Sequence, residues 1–257
     1  MVEIGDLSLA YPLSHGGVAA ALSHINARFE EGKISALIGP SGCGKTSLVR
    51  IIAGLLAPSE GSVTIGGRVV RGIRKTTAVI FQDYGLLPWK TVRANAELPL
   101  RIAGVKDRRE RVGTLLGEFG LAAFEKLYPR ELSGGMKQRL AIVRAMTAEP
   151  ELLLMDEPFS SLDALSREDA QDFLLSVKGE QRLTIVIVTH SIEEAVYLAD
   201  SVYVMTGRNP GTMKTRLDIS RPDEGISRAG FREEPAFREY CAVLRSVLKA
   251  VPSGRAI

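Results

Sequence analysis

The chain has 257 residues, of which 45% are hydrophobic and 25% charged, a composition typical of a globular protein with one large domain. Its formal net charge of +3 is too small to indicate a nucleic-acid-binding surface. Two isolated cysteines favour a reducing compartment over a disulfide framework, and neither an apolar run of about 18 residues nor a signal-peptide pattern occurs, which predicts a chain that does not cross a membrane by itself.

The N-terminal region predicts a small antiparallel sheet. Segments 3–11, 25–32 and 62–70 alternate apolar and polar residues and carry turn glycines. This alternation is typical of strands that have one face on a core and the other in water. We expect this sheet to form a β-subdomain laid against a larger core.

Five short apolar segments rich in Ile and Val predict the buried strands of a mainly parallel sheet. They are 34–39, 77–82, 151–156, 184–190 and 201–205, and helical patterns at 46–56, 134–148, 164–180 and 191–200 lie between them. Alternation of strands and helices in this order predicts an α/β fold.

The segment between the second and third of these strands differs from the core. Residues 91–130 are helical, charged and poor in strand signals, and we interpret 83–150 as an inserted helical subdomain. The core with its β-subdomain then comprises residues 1–82 and 151–206. A C-terminal tail of residues 207–257, with a predicted helix from Ala236 to Ala250, completes a single domain of residues 1–257.

The stretch GPSGCGKTS (39–47), here called the phosphate loop, follows a predicted buried strand and opens a predicted helix. It fits G-x-x-x-x-G-K-[ST], in which glycines let the backbone wrap around an anion and the helix N-terminus favours negative charge. Lys45 can reach the β- and γ-oxygens of a nucleoside triphosphate, and the Thr46 hydroxyl is a ligand for Mg²⁺. The predicted nucleotide-binding residues of the loop are Gly39, Pro40, Ser41, Gly42, Cys43, Gly44, Lys45, Thr46 and Ser47. Kinases, GTPases and ATPases share this pattern.

A pair of acidic residues ends the predicted strand in LLLMDEP (152–158). Asp156 is placed to hold Mg²⁺ through water, and Glu157 can orient or deprotonate the attacking water. Alone, such a pair would often do no more than cap the following turn. Its combination with the phosphate loop favours the catalytic interpretation.

One aromatic residue ahead of the core bears on which base is bound. The guanine-reading tetrad Asn/Thr-Lys-x-Asp is not seen where a GTPase would carry it. Tyr11, in LSLAYP, can stack on adenine without reading its edge, which favours ATP. The alternative is that Tyr11 is a rim aromatic packed on the small sheet.

The segment LSGGM (132–136), taken with the phosphate loop, resembles the signature of the ATP-binding-cassette (ABC) ATPases. The resemblance covers at least residues 1–206 and extends to further motifs in the family's order. They are Tyr11 as the A-loop aromatic, Gln82 in VIFQDYGLLPW as the Q-loop glutamine, Asp163 in SSLDA (160–164) as the D-loop aspartate, and His190 in IVTHSIEEA as the switch histidine. The resemblance implies an ATPase that uses ATP and Mg²⁺.

The resemblance also implies a role for each of these side chains. Glu157, His190 and Gln82 would act as the catalytic residues, on the attacking water and the γ-phosphate. Thr46, Gln82 and Asp156 would hold Mg²⁺. Because Gln82 lies where the core meets the helical insertion, it can report the state of the γ-phosphate to that insertion.

The family implies a head-to-tail dimer of two copies that sandwiches two ATP molecules. The helix start Ser133-Gly134-Gly135 of one chain then faces the γ-phosphate held by Lys45 of the other, and its glycines allow close approach. Asp163 would shape the interface between the copies. ATP favours the closed dimer because it contacts both chains there, and hydrolysis removes that preference.

The signature departs from the family pattern at Met136, where glutamine is most common. Met136, the wording GLLPW after Gln82 and the tail pattern RP…REEPAFREYCAVL together resemble the ATPases of nitrate, taurine and alkanesulfonate importers. This subgroup implies uptake of a small solute, an anion of that kind, through a separate permease.

The subgroup further implies partners and a location. Transmembrane permease subunits would dock near Tyr84, Leu87 and Trp89, and an extracytoplasmic solute-binding protein would act indirectly. The chain would lie at the cytoplasmic face of the inner membrane, with no nucleic-acid partner. The alternative for Trp89, the chain's only Trp, is ordinary core of the helical insertion.

Other classes of protein share parts of this pattern. An exporter ATPase would differ mainly in the membrane subunit that it docks, which this chain barely reveals. A soluble ABC ATPase acting on DNA or the ribosome would carry a long coiled coil or a second cassette, and the sequence predicts neither. A P-loop kinase would need no LSGG helix.

Overall fold

The computed structural model describes residues 1–13, 16–105, 109–179, 182–208, 210–221 and 228–250. The chain divides into two compact units. The first unit comprises Met1–Arg74 with Arg182–Ile257, and the second comprises Lys75–Gln181. The predicted tail residues 222–227 and 251–257 lie outside the described residues.

The described strands, in chain order, are β1 (Val2–Pro12), β2 (Val18–Phe29), β3 (Ile34–Ile38), β4 (Glu60–Ile65), β5 (Arg68–Val69), β6 (Thr77–Ile80), β7 (Leu152–Asp156), β8 (Thr184–Val188), β9 (Ser201–Thr206) and β10 (Thr212–Asp218). The α-helices are α1 (Lys45–Ile52), α2 (Val92–Ala96), α3 (Leu98–Ile102), α4 (Arg109–Glu118), α5 (Gly134–Met146), α6 (Ala164–Gly179), α7 (Ile192–Leu198), α8 (Arg228–Phe231) and α9 (Pro235–Lys249). Short 3₁₀ turns cover Ala122–Phe124 and Pro129–Glu131.

The N-terminal strands of the first unit form an antiparallel sheet in the order β2-β1-β4-β5, which confirms the prediction of such a sheet. Alternation along β1 buries Val2, Ile4, Leu7 and Leu9 and leaves the intervening residues more exposed. Strand β2 begins at Val18, seven residues before the predicted segment 25–32. Its added part, VAAAL, is rich in alanine and so carried little strand signal.

The other strands of the first unit run in the order β10-β9-β3-β8. Strand β3 is parallel to β8 and to β9, and every residue of these three strands is buried. Apolar runs of this kind were the basis for predicting a parallel sheet, and the α/β fold is confirmed. Strand β10, antiparallel to β9, was not predicted.

The C-terminal helix α9 packs in the first unit and confirms the predicted helix 236–250 within one residue. It buries Phe237, Cys241 and Leu244, and Arg245 pairs with Glu193 of α7 at 2.8 Å. The described part of the tail is therefore built into the first unit. Within the described residues, no helix combines the length and the apolar character that a membrane span needs.

The second unit contains the parallel pair β6–β7, with Thr77 opposite Leu152, and the helices α2 to α6. Helix α5 is its buried centre, with Leu140, Ala141, Ile142 and Val143 fully enclosed. Helices α2 to α5 lie between β6 and β7 along the chain, as the predicted insertion requires. The unit also takes in both strands and α6, so the subdomain limits 83 and 150 stay a prediction.

Candidate functional site

The phosphate loop connects β3 to α1 in the first unit and turns on Gly44, whose φ of 91° is left-handed. A Cβ at Gly44 would lie 2.4 Å from Leu22 Cδ2, so both conformation and space require glycine there. The Cys43 amide donates to the Pro40 carbonyl at 3.3 Å, and the Leu48 amide donates to the Gly44 carbonyl at 2.9 Å. The loop is thus a tight turn that ends on a helix N-terminus.

Lys45 folds its side chain into the loop that carries it. The side chain is only 5% exposed, and its ammonium donates to the carbonyls of Gly39 at 2.8 Å and Pro40 at 3.0 Å. An ammonium has three donors and no acceptor. The loop therefore holds a buried positive charge at its own centre, which suits an anion bound by the loop backbone.

Cys43 lies beneath this ammonium, with Sγ 3.9 Å from Lys45 Nζ and no exposed surface. Burial raises the pKa of the Cys43 thiol, against the opposing effect of the Lys45 charge. The thiol therefore stays protonated at neutral pH and serves as a small packing group rather than a nucleophile.

Tyr11 lies beside the end of the phosphate loop. Its hydroxyl is 3.1 Å from Ser47 Oγ, and the side chain is 38% exposed. Strand β1 thus places a partly exposed aromatic ring next to the loop. A nucleotide base attached to a bound phosphate chain could stack on this ring. Thr46 and Ser47 are both half-buried at the start of α1.

His190 follows β8 in the same unit and is exposed. Strands β3 and β8 are parallel neighbours, with Leu37 opposite Val188. The phosphate loop and His190 therefore leave the sheet at the same edge, the carboxyl ends of adjacent strands, where ligands bind in open α/β sheets. Ser191 begins α7 directly after His190, because its Oγ accepts from the Glu194 amide at 3.1 Å.

Gly211, which the sequence did not single out, supports the phosphate loop from behind. A Cβ at this position would lie 1.9 Å from the carbonyl oxygen of Cys43. The Gly211 amide donates to Ala21 O at 2.9 Å, and its carbonyl accepts from the Ser23 amide at 3.0 Å. These bonds to β2 fix Gly211 in place, so the loop rests on a backbone contact that has no room for a side chain.

The acidic pair and the glutamine lie in the second unit. Asp156 is the last residue of β7 and is 6% exposed, whereas Gln82 follows β6 and is exposed. Since β6 and β7 are parallel, with Ile80 opposite Met155, these residues also leave at the carboxyl ends of neighbouring strands. Glu157 has φ of 51°, a left-handed conformation that is strained for a non-glycine residue and that clusters at functional sites.

The signature Ser133-Gly134-Gly135 begins α5 as predicted. Ser133 caps the helix, its Oγ accepting from the Met136 amide at 3.3 Å. Ser133 and Gly134 are exposed, and Gly135 and Met136 are half-buried. The start of α5 is therefore an open helix N-terminus, of the kind that attracts anions.

Asp163 caps the next helix of the second unit. Its Oδ1 accepts from the Ser166 amide at 3.0 Å at the start of α6. Hydrogen bonding to the Ser166 side chain, and then to the Ser166 amide, holds the pKa of the carboxyl below its ordinary value. The predicted contact between copies is untested, but the structure adds a local role that the motif did not reveal.

The predicted docking segment is only partly exposed. Trp89 is 70% exposed, which excludes the alternative that it belongs to the core of the insertion. Leu87 is half-buried. Tyr84 is 6% exposed and its hydroxyl lies 2.8 Å from Ser161 Oγ, so its own side chain offers little surface in this segment.

The predicted site residues thus fall into two groups. Tyr11, the phosphate loop and His190 belong to the first unit. Gln82, Asp156, Glu157, the signature and Asp163 belong to the second. Apart from Tyr11 on the antiparallel strand β1, the predicted residues lie at the carboxyl ends of parallel strands or at helix starts within each unit.

Comparison with known proteins adds a family, relatives and solved structures. The sequence pattern of the family described as "ABC transporter" matches residues 22–160. A nitrate import ATP-binding protein of Synechocystis is 40% identical, over 96% of this chain and 95% of that protein. A taurine import ATP-binding protein of Sinorhizobium fredii is also 40% identical, over 97% and 96%.

The chain is similar to two solved cassettes. One is a dimeric ATP-binding cassette in a post-hydrolysis state with ADP and phosphate, at a TM-score of 0.75 and 28% identity, over 86% of this chain and 100% of that one. The other is a cassette from Clostridium perfringens that is part of an ABC transporter complex, at a TM-score of 0.74 and 25% identity, over 98% and 95%.

Proposed function

The chain belongs to the ABC transporter family and is an ATP-binding ATPase of that family, and from this premise we propose that it drives import of a small solute through a separate membrane permease. The relatives named above, both import ATP-binding proteins aligned over nearly their whole length, support this proposal. Their solutes, nitrate and taurine, favour a small anion for this chain, with alkanesulfonate as the third member of the proposed class.

The observation that carries the ATPase assignment is the geometry of the phosphate loop. Lys45 places a buried ammonium at the centre of a turn that ends on the N-terminus of α1. We infer that the γ- and β-phosphates of ATP replace the Gly39 and Pro40 carbonyls as partners of this ammonium. Tyr11, open beside Ser47, then stacks on the adenine.

Mg²⁺ is the proposed metal cofactor. Thr46 and Asp156 offer a hydroxyl and a carboxylate, the hard oxygen donors that Mg²⁺ prefers. No cluster of three or more His, Cys, Asp or Glu side chains able to hold a metal occurs among the described residues. The ion would be held by these protein oxygens together with phosphates and water, and Gln82 would be a further ligand through water. When bound, the ion supplies neutralisation of the phosphate charge.

Glu157 is the proposed general base for the attacking water. Its backbone is left-handed, with φ of 51°, and the Ser160 hydroxyl donates to the Glu157 carbonyl at 2.9 Å in the same turn. His190 and Gln82 are the proposed partners that orient the γ-phosphate and the water. A base positioned in this way contributes roughly 10²–10⁴-fold in rate.

Two copies of the chain are proposed to close head to tail around two ATP molecules. The exposed start of α5 supports this arrangement, because an open helix N-terminus with two glycines admits the γ-phosphate of a nucleotide held by another copy. Asp163, at the start of α6, is proposed to lie at the same interface.

The permease is proposed to dock on the segment after Gln82, with Trp89 as the anchor and Leu87 beside it. A Trp that is 70% exposed suits this role, since aromatic residues dominate the energetics of protein interfaces. The chain would then lie at the cytoplasmic face of the inner membrane, and an extracytoplasmic solute-binding protein would act through the permease.

The test of this function is Glu157→Gln, which removes the base and keeps the size of the side chain. We expect ATP to bind with unchanged affinity, turnover to fall at least about 100-fold, and an ATP-dependent dimer to accumulate in size-exclusion chromatography. Normal turnover by this variant would remove Glu157 from the role of base.

Trp89→Ala tests the docking surface. Because Trp89 is exposed, its loss should leave the thermal stability of the isolated chain within about 0.5 kcal/mol while weakening capture of the permease at least about tenfold. Ile73→Ala, which removes another exposed apolar side chain in the first unit, is the control. Equal capture by all three chains would place the docking surface elsewhere.

A further inference from the structure

The segment directly after Gln82 makes a sharp bend in which two successive residues are left-handed. Tyr84 has φ of 61° and Gly85 has φ of 57°. Glycine adopts this conformation freely, but a bulky aromatic residue does so only when its surroundings hold it there. We call residues 83–85, which follow Gln82, the Gln82 bend, and its conformation is fixed by contacts with Arg144, Asp83 and Ser161.

Arg144 of α5 hydrogen-bonds the backbone of the bend. Its Nη1 donates to Gly85 O and its Nη2 donates to Tyr84 O, each at 2.6 Å. Asp83 closes the turn from the other side, because its Oδ1 accepts from the Gly85 amide at 3.1 Å. Burial lowers the pKa of the Arg144 guanidinium and the Asp83 charge opposes that effect, and an arginine stays charged in either case.

The ring of Tyr84 ties the same bend to a second motif. Tyr84 is 6% exposed, and its hydroxyl is 2.8 Å from Ser161 Oγ in the segment SSLDA. In this left-handed conformation the carbonyls of Tyr84 and Gly85 bond Arg144, while the Tyr84 side chain contacts Ser161.

Arg144 lies on the helix that Ser133 begins. The two residues are separated by roughly three turns of α5, in which Leu140 to Val143 are fully buried. A helix packed in this way transmits displacement as a rigid element. A shift of the Gln82 bend therefore reaches Ser133 through Arg144, and it reaches Ser161 through Tyr84.

We propose that Arg144 and Tyr84 are positioning residues that connect the Gln82 bend to the signature helix start and to the segment 160–164. We call this connection the joint, and through it the three parts move together when ATP is bound. The proposal rests on the proposed function, because it concerns the closing of two copies around ATP. Arginine is required because its planar fork bonds two successive carbonyls at once, whereas a lysine ammonium is a point charge on a flexible stem.

The experiment uses the full-length chain with Glu157→Gln as the parent, so that ATP traps the dimer. Arg144→Lys is compared with Arg139→Lys, which removes another guanidinium from the same helix, where Arg139 lies over Phe173. Two quantities are measured with Mg-ATP: the affinity of the monomer, at dilute protein, and the dimerisation constant, by sedimentation velocity.

We expect Arg144→Lys to leave monomer affinity within about twofold and to weaken dimerisation at least about tenfold, with Arg139→Lys close to the parent. A merely structural role would lower thermal stability and monomer affinity together. A dimer as tight as the parent's would overturn the joint. A parent that fails to dimerise would instead overturn the proposed function itself, and the inference with it.

A double-mutant cycle covers the case in which Arg144→Lys does not fold. Tyr84→Phe and Ser161→Ala each remove one side of the same contact and keep the surrounding packing. We expect each to weaken ATP-dependent dimerisation, and the pair to weaken it no more than the stronger single variant. Fully additive effects, or no effect, would contradict the joint.

Discussion

The phosphate loop and the signature helix start are both helix N-termini suited to an anion, but the chain treats them differently. In the loop, Lys45 is 5% exposed and bonded to two carbonyls, and Gly211 packs against the backbone behind it. At the start of α5, Ser133 and Gly134 are exposed. The loop is braced from within its own unit, whereas the helix start is presented outward.

This difference separates two roles, nucleotide binding by a single chain and contact with another copy. A braced loop is preorganised to bind nucleotide in a single chain, and its sensitivity to change lies in the residues behind it. The exposed start of α5 does not depend on residues packed behind it in this way. A change there should therefore spare the monomer and affect only what approaches from outside.

Gly211→Ala should have the largest effect on the braced side. The new Cβ would lie 1.9 Å from Cys43 O, so the loop backbone must shift. We expect ATP affinity of the monomer to fall about tenfold, equivalent to roughly 1.4 kcal/mol. The measurement is titration with a fluorescent ATP analogue, and Gly5→Ala, where a Cβ meets nothing within 4 Å, is the control. Unchanged affinity would mean that the loop does not depend on this contact.

Gly135→Ala probes the open side with an intermediate effect. Its Cβ would come no closer than 4.0 Å to Ser166 Cβ, whereas one at Gly134 would lie 2.9 Å from Leu162 Cδ2. Stability should stay equal or rise by up to about 1 kcal/mol, because alanine is the better helix former. Turnover should nevertheless fall several-fold, because the added methyl stands where the partner's nucleotide approaches. Thermal melting measures the stability and a steady-state ATPase assay measures the turnover. Normal turnover would argue against close approach of the partner's nucleotide to Gly135.

Asp163→Ala should have the smallest effect, and one that depends on pH. Hydrogen bonds from the Ser166 side chain and, to a lesser extent, from the Ser166 amide lower the folded-state pKa of Asp163 below its ordinary 3.8. Its stabilising contribution is therefore fully present above that ordinary value and is lost as pH falls through the lowered value. Melting temperatures of the parent and Asp163→Ala should differ at pH 7 and converge in acid. A constant difference would show that the cap does not depend on the charge.

The buried strands and the phosphate loop were predicted because their sequence signals are local. Apolar runs of one buried strand each led to β3, β7, β8 and β9, and the spacing of glycines and Lys45 led to the phosphate loop. Strand β10 could not be predicted in this way. Its residues, TMKTRLD, are alternately exposed and half-buried, and only pairing with β9 makes them a strand.

The supporting contacts of the candidate site escaped prediction for a different reason. Arg144 bonds the carbonyls of Tyr84 and Gly85, and Gly211 abuts the carbonyl of Cys43. A carbonyl is present at every residue, so no pattern of side chains marks which ones will be used. The burial of Tyr84, which lies in the same predicted docking segment as the exposed Trp89, likewise depends on a contact with Ser161, a residue that is distant in the chain.

The most direct test of the central claim, that the signature helix start completes a site held by another copy, is complementation. Lys45→Ala and Ser133→Arg are each expected to be inactive alone. Mixed in equal amounts, they form some dimers in which an intact Lys45 faces an intact Ser133, so ATPase activity should rise well above that of either variant. If the mixture stayed as inactive as its components, the two residues would have to act within one chain, and the head-to-tail account would be contradicted.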